Sequence, residues 1–213
     1  MFRPPSDSWM LVDVMRERGL ARGARVLDVF TGSGVLAVAA GLAGARSVTA
    51  VDISRRAAFC ARVNGRLNGV RVRGVRGDVF SPVAGERFDL ITANPPYVPS
   101  EHDSLPAAGA ARAWEGGRDG RRLVDRFGSG VAPHLAPGGT VLMVISSLTG
   151  EREVLDALRA GGLEPEVAAR HRGPLGPLVS ARAEMLEERG LLAPGEREEE
   201  MLVIAGSLRG LTP

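Results

Sequence analysis

The sequence contains no lysine, because all 27 of its basic residues are arginines. Reactions that depend on a lysine amine are therefore excluded. The single cysteine, Cys60, rules out an internal disulfide and a cysteine-rich metal site. We expect Cys60 to be a half-buried helix residue, and we predict no metal site.

Long hydrophobic runs are also missing. No apolar stretch approaches the ~18 residues that a membrane helix needs. The first residues, MFRPPSDSW, lack the apolar core of a signal peptide. We therefore expect a cytoplasmic protein without a membrane partner, and the length of 213 residues is enough for one α/β domain with its own core.

The net charge is only +2, which argues against a large phosphate-binding surface. Seven arginines nevertheless lie close together in the sequence. They are Arg55, Arg56, Arg62, Arg66, Arg71, Arg73 and Arg76. This cluster is either a nucleic-acid face or the solvated side of a helix and an edge strand. We favour the second interpretation and do not expect nucleic acid as the main partner.

Short β-branched runs alternate with amphipathic stretches, which indicates a parallel sheet with helices on both faces. Strands are predicted at 24–30, 47–52, 70–77, 88–94, 140–146, about 164–171 and 200–207. Helices are predicted at 6–19, from the first loop to about Gly44, at 54–68 with Ser54 as cap, around 119–135 and at 150–161. The predicted fold class is α/β: a doubly wound, mostly parallel, seven-stranded Rossmann-like sheet. One antiparallel strand is expected near the C-terminus, where no regular crossover helix separates the last two strands.

Two long segments break this rhythm. Residues 98–120 are rich in proline, glycine and alanine, and residues 172–199 separate the last two strands and carry a short helix. Loops of this length are usually functional or mobile. We expect one domain over residues 1–213 with these two insertions, and a solvated acidic run, EREEE, at 196–200.

A glycine loop, DVFTGSG (28–34), follows the first predicted strand. Its spacing is close to the dinucleotide fingerprint, but Ala37 replaces the third glycine. Asp52 ends the second strand, where a carboxylate can bind both ribose hydroxyls, and Asp78 ends the third, within reach of an adenine amino group. Asp28 would repel a pyrophosphate and attract an ammonium group. The three carboxylates therefore suit S-adenosylmethionine, which has no phosphate, better than NAD.

An asparagine precedes two prolines at the end of the fourth predicted strand, in TANPPYVPS (92–100). The carboxyl ends of parallel strands face the ligand crevice. The Asn94 oxygen and the following carbonyls can accept both hydrogens of a planar amino group. Pro95 adds no competing N–H, and Tyr97 can pack on the face of that group. Asn94, Pro95, Pro96 and Tyr97 thus predict methyl transfer to nitrogen by positioning and electrostatics.

These motifs resemble the class I methyltransferases that carry Asn-Pro-Pro-Tyr, and among them the HemK2/Mtq2 group of protein methyltransferases, relatives of the release-factor glutamine N5-methyltransferases. The resemblance covers about residues 3–172 and 200–207, including RPPSDSWMLVD, DVFTGSGVLA, GDVF, NPPYVPS and AWEGGRDGRRLVDRF. It implies S-adenosylmethionine as cofactor, bound by Ser8, Asp28, Phe30, Thr31, Gly32, Gly34, Asp52, Ile53, Asp78, Val79 and Asn94. It implies that Asn94 binds the target nitrogen. From the sequence itself Tyr97 is a further candidate for substrate contact, and Trp114 either lines the acceptor pocket or packs in the core.

In that group the substrate is typically the glutamine of a release factor's Gly-Gly-Gln motif, and some members act on lysine. Two departures stand out: Phe30 replaces a usual glycine, and 172–199 lengthens a normally short hairpin. We predict that this segment forms a lid or docking surface near the site. Eukaryotic members use a zinc-binding partner that extends the sheet at its edge strand. Three arginines across 70–76 oppose strand addition, so we expect a stand-alone monomer.

Other functions stay open at this point. An exocyclic base amine, such as adenine N6, presents the same planar group, so a methyltransferase acting on rRNA or DNA is an alternative. A small-molecule N-methyltransferase is another, provided that both long loops close over a sealed pocket. A regulatory module that binds the cofactor without turnover would not need the Asn94–Tyr97 motif.

Overall fold

The protein is described from a computed structural model that covers residues 6–210. Residues 3–5 of the RPPSDSWMLVD motif lie outside the described residues. No helix within the described range is long and apolar enough to cross a membrane.

Seven strands and seven α-helices alternate along most of the chain. The strands are β1 (Arg25–Val29), β2 (Ser47–Asp52), β3 (Val72–Arg76), β4 (Phe88–Ala93), β5 (Leu135–Ser146), β6 (Leu163–Pro174) and β7 (Glu198–Leu208). The helices are α1 (Ser6–Glu17), α2 (Val35–Leu42), α3 (Arg55–Leu67), α4 (Arg122–Val131), α5 (Glu151–Ala160), α6 (Pro177–Ser180) and α7 (Ala183–Glu188). Ser54 caps α3 as predicted, because its side chain accepts a hydrogen bond from the Ala57 amide.

All seven strands form one sheet in the order β3-β2-β1-β4-β5-β7-β6. Strands β1 to β5 pair in parallel, whereas β7 runs antiparallel to both of its neighbours. The prediction of a mostly parallel seven-stranded sheet with one antiparallel strand is confirmed. The strand order reverses between β1 and β4, and ligands of such sheets bind at the carboxyl ends of the strands at that point.

Each face of the sheet carries its own hydrophobic core. Helices α1 and α2, with part of α3, pack on one face through residues such as Met15 and Leu36. Helices α4 and α5 cover the other face through Phe127 and Leu158. The two covered faces explain why β4 and β5 are apolar along most of their length, as the sequence suggested.

Four sequence-based expectations are wrong in detail. The helix predicted around 119–135 is shorter, since a 3₁₀ turn containing Pro133 follows α4. Strand β5 begins at Leu135 rather than 140, because Leu135 already pairs with Phe88. The 172–199 segment contains two short helices instead of one. Cys60 is exposed rather than half-buried.

Gly34 brings α2 close to α3. Its φ of +85° is a left-handed conformation, and a Cβ there would lie 2.6 Å from Ala61 Cα. Gly44 has a similar φ of +92°, but a Cβ there would meet nothing within 4 Å. An alanine at either position would carry the same backbone strain, but only the one at position 34 would also clash with a neighbouring helix.

We expect Gly34→Ala to destabilise the protein more than Gly44→Ala does. Gly44→Ala should cost about 1 kcal/mol, the strain of a left-handed alanine. Gly34→Ala should cost about 1–3 kcal/mol more, because α3 must move to admit the methyl group. Urea unfolding of both variants measures the difference, and equal losses would contradict the close packing of α2 on α3.

Candidate active site

A cavity of about 590 Å³ opens where the strand order reverses. Five segments that are distant in sequence build its walls. They are Asp7 and Ser8 of α1, the glycine loop and start of α2 (residues 30–36), the motif 94–98, Ala113 with Trp114, and residues 171–201 around the ends of β6 and β7. The lining is mainly apolar, with a few polar groups, as in most small-ligand sites.

The structure brings together about half of the predicted site residues in this cavity. Those that line it are Ser8, Phe30, Thr31, Gly32, Asn94, Pro95, Pro96, Tyr97 and Trp114. Those that do not line it are Asp28, Gly34, Asp52, Ile53, Asp78 and Val79. The second set lies beneath the glycine loop or next to it, at the ends of β1, β2 and β3.

Asp28 lies under the glycine loop and is fully buried. Its Oδ2 accepts hydrogen bonds from Thr31 Oγ1 at 2.6 Å and from the Ala37 amide at 3.2 Å. Its Oδ1 accepts from Thr92 Oγ1 at 2.9 Å. One carboxylate thus joins β1, the loop, the first turn of α2 and strand β4. The sequence predicted that Asp28 attracts an ammonium group of the cofactor. Asp28 does not line the cavity and three internal donors already bind its oxygens, so this role stays a prediction.

Burial raises the pKa of the Asp28 carboxyl to about 7, from 3.8 for an ordinary aspartate. The hydrogen bonds from Thr31, Thr92 and the Ala37 amide lower the pKa, but desolvation outweighs them. The nearby Asp52 carboxylate raises it further. The Asp28 carboxyl, which joins the glycine loop to α2 and β4, therefore changes its protonation state near neutral pH.

Two residues other than glycine have a positive φ among residues 6–210: Phe30 at +60° and Val79 at +50°. Both were predicted as cofactor contacts. Such conformations cost of order 1–3 kcal/mol each and concentrate at functional sites. Phe30 keeps the left-handed backbone that a glycine would adopt, and its ring packs 6.3 Å from that of Phe127. Phe30 thus holds a backbone conformation that favours glycine, while its side chain packs beside Phe127.

Asp52 ends β2 and faces the loop from the other side. Its Oδ2 accepts from the Gly32 amide at 3.0 Å, and its Oδ1 accepts from the Ser54 amide at 2.8 Å. The next residue, Ile53, is 38% exposed, which is unusual for an isoleucine beside a crevice. The carboxylate keeps free lone pairs for further donors, and Ile53 offers an apolar surface next to it.

Asp78 follows β3 and forms an ion pair with Arg126 at 2.7 Å. Both side chains are about half exposed, so the pair contributes little to stability. Its carboxylate can accept further hydrogen bonds from a ligand beside the β3 end.

The side-chain amide of Asn94 has a defined orientation. Its Nδ2 donates to Ser8 Oγ at 3.0 Å, which leaves Oδ1 as the atom available to a ligand. Within residues 6–210 no protein donor reaches Oδ1. Asn94 therefore lies just after β4, and a helix 86 residues away in sequence orients its amide, while its role as acceptor stays a prediction.

Tyr97 is tied to the same helix, because its phenol donates a short hydrogen bond to Asp7 Oδ2. Burial, together with the Asp7 carboxylate, raises the pKa of Tyr97 well above its usual value. The phenol thus stays protonated and serves as a structural donor. Helix α1 fixes both ends of the Asn94–Tyr97 motif.

Glycines of the AWEGGRDG segment hold the other side of that motif. A Cβ on Gly120 would lie 2.2 Å from the Tyr97 carbonyl oxygen, and one on Gly116 would lie 2.8 Å from that of Pro96. Backbone hydrogen bonds join Val98 to Trp114 and to Gly116. The glycines therefore permit the close approach that brings Trp114 into the cavity wall.

The sequence did not indicate two acidic residues of the cavity. Asp7 was expected at most to cap the first helix, and Glu199 was expected to be solvated within EREEE. Glu199 lies in the wall, where it accepts from Ser146 Oγ at 2.5 Å and from the Gly176 amide at 3.2 Å. An acidic run at a strand end carries no local signal for such partners, since Ser146 is 53 residues away.

Comparisons with known proteins place this site in a class. The methyltransferase small domain family matches residues 6–110. A putative protein N5-glutamine methyltransferase of Methanocaldococcus jannaschii is 33% identical over 183 residues, which span 86% of this chain and 91% of that protein. Human methyltransferase HEMK2 is 32% identical over 176 residues, which span 79% of this chain and 82% of that protein.

The fold is also found among solved structures. Mtq2 in the E. cuniculi Mtq2–Trm112 complex superposes with a TM-score of 0.65 at 23% identity, covering 97% of this chain and 98% of that chain. The fold and the matched family together define a methyltransferase. The chain belongs to the HemK2-like methyltransferases, and the resemblance inferred from its motifs is confirmed.

We expect Asp28→Asn to change how stability depends on pH. The native carboxyl holds its proton up to about pH 7, whereas the unfolded one loses it near 3.8. Between these values the unfolded state binds fewer protons, so the wild-type protein loses stability as the pH rises. The loss is at most about 1.4 kcal/mol per pH unit, and the amide variant lacks this contribution.

Urea unfolding of the wild-type protein and Asp28→Asn between pH 4 and pH 8 tests this. Relative to the variant, the wild type should lose stability up to about pH 7 and then level off. Parallel curves would contradict a raised pKa at Asp28.

Proposed function

We propose that this enzyme transfers a methyl group from S-adenosylmethionine to the side-chain amide nitrogen of a glutamine in a protein, namely that of a release factor's Gly-Gly-Gln motif. The names of its relatives support glutamine as the acceptor. The orientation of the Asn94 amide carries the proposal, because it presents an oxygen acceptor to a planar –NH₂ group. We also propose, as expected from the sequence, that the chain folds as one domain and that the enzyme works in the cytoplasm.

The residues around the glycine loop fit S-adenosylmethionine. Within the described chain no arginine lines the cavity, whereas the carboxylates of Asp7 and Glu199 do. Such a lining suits a ligand with cationic groups and disfavours a phosphate. Asp52 keeps lone pairs for ribose hydroxyls, and Ile53 gives an adenine ring an apolar surface.

The reaction requires the protein to orient the amide nitrogen that accepts the methyl group. An amide nitrogen is a weak nucleophile, since its lone pair is delocalised into the carbonyl group. Asn94 Oδ1 and the carbonyl of Pro95 can accept the two N–H bonds, which aims the lone pair and increases the electron density on nitrogen. When bound, S-adenosylmethionine supplies the methyl group on a sulfonium, which becomes a neutral sulfide as the S–CH₃ bond breaks. The nitrogen forms the new N–CH₃ bond and loses one of its two N–H protons to solvent.

The acidic residues of the cavity lining also favour a protein substrate over a nucleic acid. Flipped bases bring phosphates with them, and a cavity walled by Asp7 and Glu199 would repel these. Arg73 of the arginine cluster forms a bidentate pair with Glu86 on the sheet edge. The charges that face the acceptor therefore favour a polypeptide.

We expect Asn94→Ala to lower kcat by about 10²–10³-fold, the usual loss when one preorganised polar contact is removed. Ser8→Ala should lower it less, because it only frees the Asn94 amide to rotate. Binding of S-adenosylmethionine should remain measurable by calorimetry in Asn94→Ala.

The assay uses methyl-labelled S-adenosylmethionine with the purified release factor of the same organism. A release factor with the glutamine of Gly-Gly-Gln changed to alanine serves as the matched control. Label on both factors, or full activity of Asn94→Ala, would reject the proposal. Label on a nuclease-sensitive fraction would instead support the base-modifying alternative.

The surface formed by β3 and α3 argues against the stand-alone monomer that we expected from the sequence. Strand β3 is an edge of the sheet, and the adjoining helix α3 exposes three apolar side chains at four-residue spacing. Phe59, Val63 and Leu67 are 60%, 38% and 77% exposed. Apolar stripes of this kind usually mark an interaction surface. A partner protein on this face is consistent with the exposed stripe, and the related Mtq2 forms a complex with Trm112.

We therefore expect the isolated wild-type protein to self-associate with rising concentration, because the stripe is uncovered. Phe59→Ser combined with Leu67→Ser should restore the mass of one chain in light scattering. A wild-type protein that stays monomeric at every concentration would support the stand-alone expectation.

A further inference from the structure

Residues 175–192, which we call the insert, are anchored on the site side of the sheet. The insert contains α6 and α7 and forms a small hydrophobic cluster of its own. That cluster consists of Val98, Leu148, Leu175, Val179, Ala183, Leu186 and Leu192. Tyr97 and Trp114 pack against it. The insert is therefore a fixed wall next to the predicted acceptor residues.

Arg182, just before α7, connects this wall to the loop that follows Tyr97. Its two terminal nitrogens reach different partners: the Pro99 carbonyl oxygen at 2.8 Å and Glu115 Oε1 at 2.6 Å. The Arg182 and Glu115 side chains are only 25% and 18% exposed. At that burial a charge-assisted pair is stronger than a surface ion pair.

Arg189, just after α7, holds the same loop. It donates to the Ser100 carbonyl oxygen at 2.8 Å and to that of Glu101 at 3.3 Å. Arg182 and Arg189 are seven residues apart, about two helical turns, so they lie on the same side of α7. Two guanidinium groups thus grip the backbone of residues 99–101.

The gripped segment is one side of a short ladder of backbone hydrogen bonds. The Val98 amide donates to the Trp114 carbonyl at 2.8 Å, and the Ser100 amide donates to that of Gly117 at 2.9 Å. One side of the ladder carries Tyr97 and the other carries Trp114, and both side chains line the cavity. Arg182 contacts both sides, through Pro99 and Glu115.

We propose that Arg182 is a positioning residue for the acceptor, and that Arg189 assists it. Arg182 fixes the distance between the Tyr97 and Trp114 walls, and thereby the width of the cavity that receives the side chain to be methylated. This rests on the proposed function in one respect, that the ligand between these walls is the acceptor. Among the described residues, the hydrogen bonds and the ion pair of Arg182 go to Pro99 and Glu115, and none goes to the glycine loop.

The chain offers a matched control for this inference. Arg197 lies just beyond the insert and forms an ion pair with Glu187 of α7 at 2.6 Å. It holds the same helix and is 57% exposed, but does not touch the 98–120 loop. Arg182→Gln, Arg182→Lys and Arg197→Gln therefore separate the grip on the loop from the stability of the insert.

The first measurement needs no substrate. The chain has two tryptophans, so Trp9→Phe leaves Trp114 as the sole indole in the loop. In the Trp9→Phe protein Trp114 is the only tryptophan. There Arg182→Gln should expose Trp114 to solvent, which shifts its fluorescence emission to longer wavelength and increases the quenching of that emission by acrylamide. Arg197→Gln should leave both unchanged.

The second measurement is steady-state kinetics with the release factor. Arg182→Gln should raise KM for the acceptor about tenfold, since small misplacements of positioning groups cost 10–10² in efficiency. The Kd for S-adenosylmethionine should change less than about twofold, because the glycine loop is untouched. Arg182→Lys should recover part of the loss, as one of its two contacts can re-form.

The outcomes are distinguishable. A changed Trp114 signal with a selective rise in acceptor KM supports the proposal. An unchanged Trp114 signal in Arg182→Gln overturns it, as does a loss shared equally with Arg197→Gln. If the wild-type enzyme labels no release factor, the proposed function fails, and the fluorescence comparison still decides whether Arg182 positions the loop.

Discussion

The buried carboxylate of Asp28 is the interaction on which the site depends. It receives hydrogen bonds from the glycine loop, from the first turn of α2 and from β4, and so fixes the switch point of the sheet from beneath. Burying a charge is costly unless it is well paired, and its raised pKa reflects that cost. The loop can then keep a strained Phe30, because its neighbours leave the backbone no other course.

The acceptor half of the site is held differently, by segments that lie far apart in the chain. Ser8 and Asp7 hold the Asn94–Tyr97 motif from the side of α1. The glycines of AWEGGRDG approach it from the other side, and the insert closes the wall behind Trp114. This half has no single hub comparable to Asp28, so its shape is the sum of several long-range contacts.

This difference explains how much could be read from the sequence. The order of strands and helices and the β2 bounds at 47–52 follow local periodicity, and the structure agrees with them. Turn chemistry also predicted Asn94 just after the end of β4, where the structure has it, and its role as acceptor stays a prediction. The burial of Asp28 could not be read, because a motif does not show which neighbours satisfy its carboxylate. Nor could the place of Glu199, whose partner Ser146 comes from another strand.

The two halves of the cavity differ in how freely their residues can change. The backbone strain at Phe30 and Val79 leaves little freedom to change the residues in and beside the glycine loop, where we propose that the cofactor binds. The proposed acceptor wall, in contrast, depends on the hydrogen bonds of Arg182 and Arg189 and on a two-helix insert that packs against the loop following β4. A longer insert can therefore reshape the acceptor side while the cofactor side stays constant.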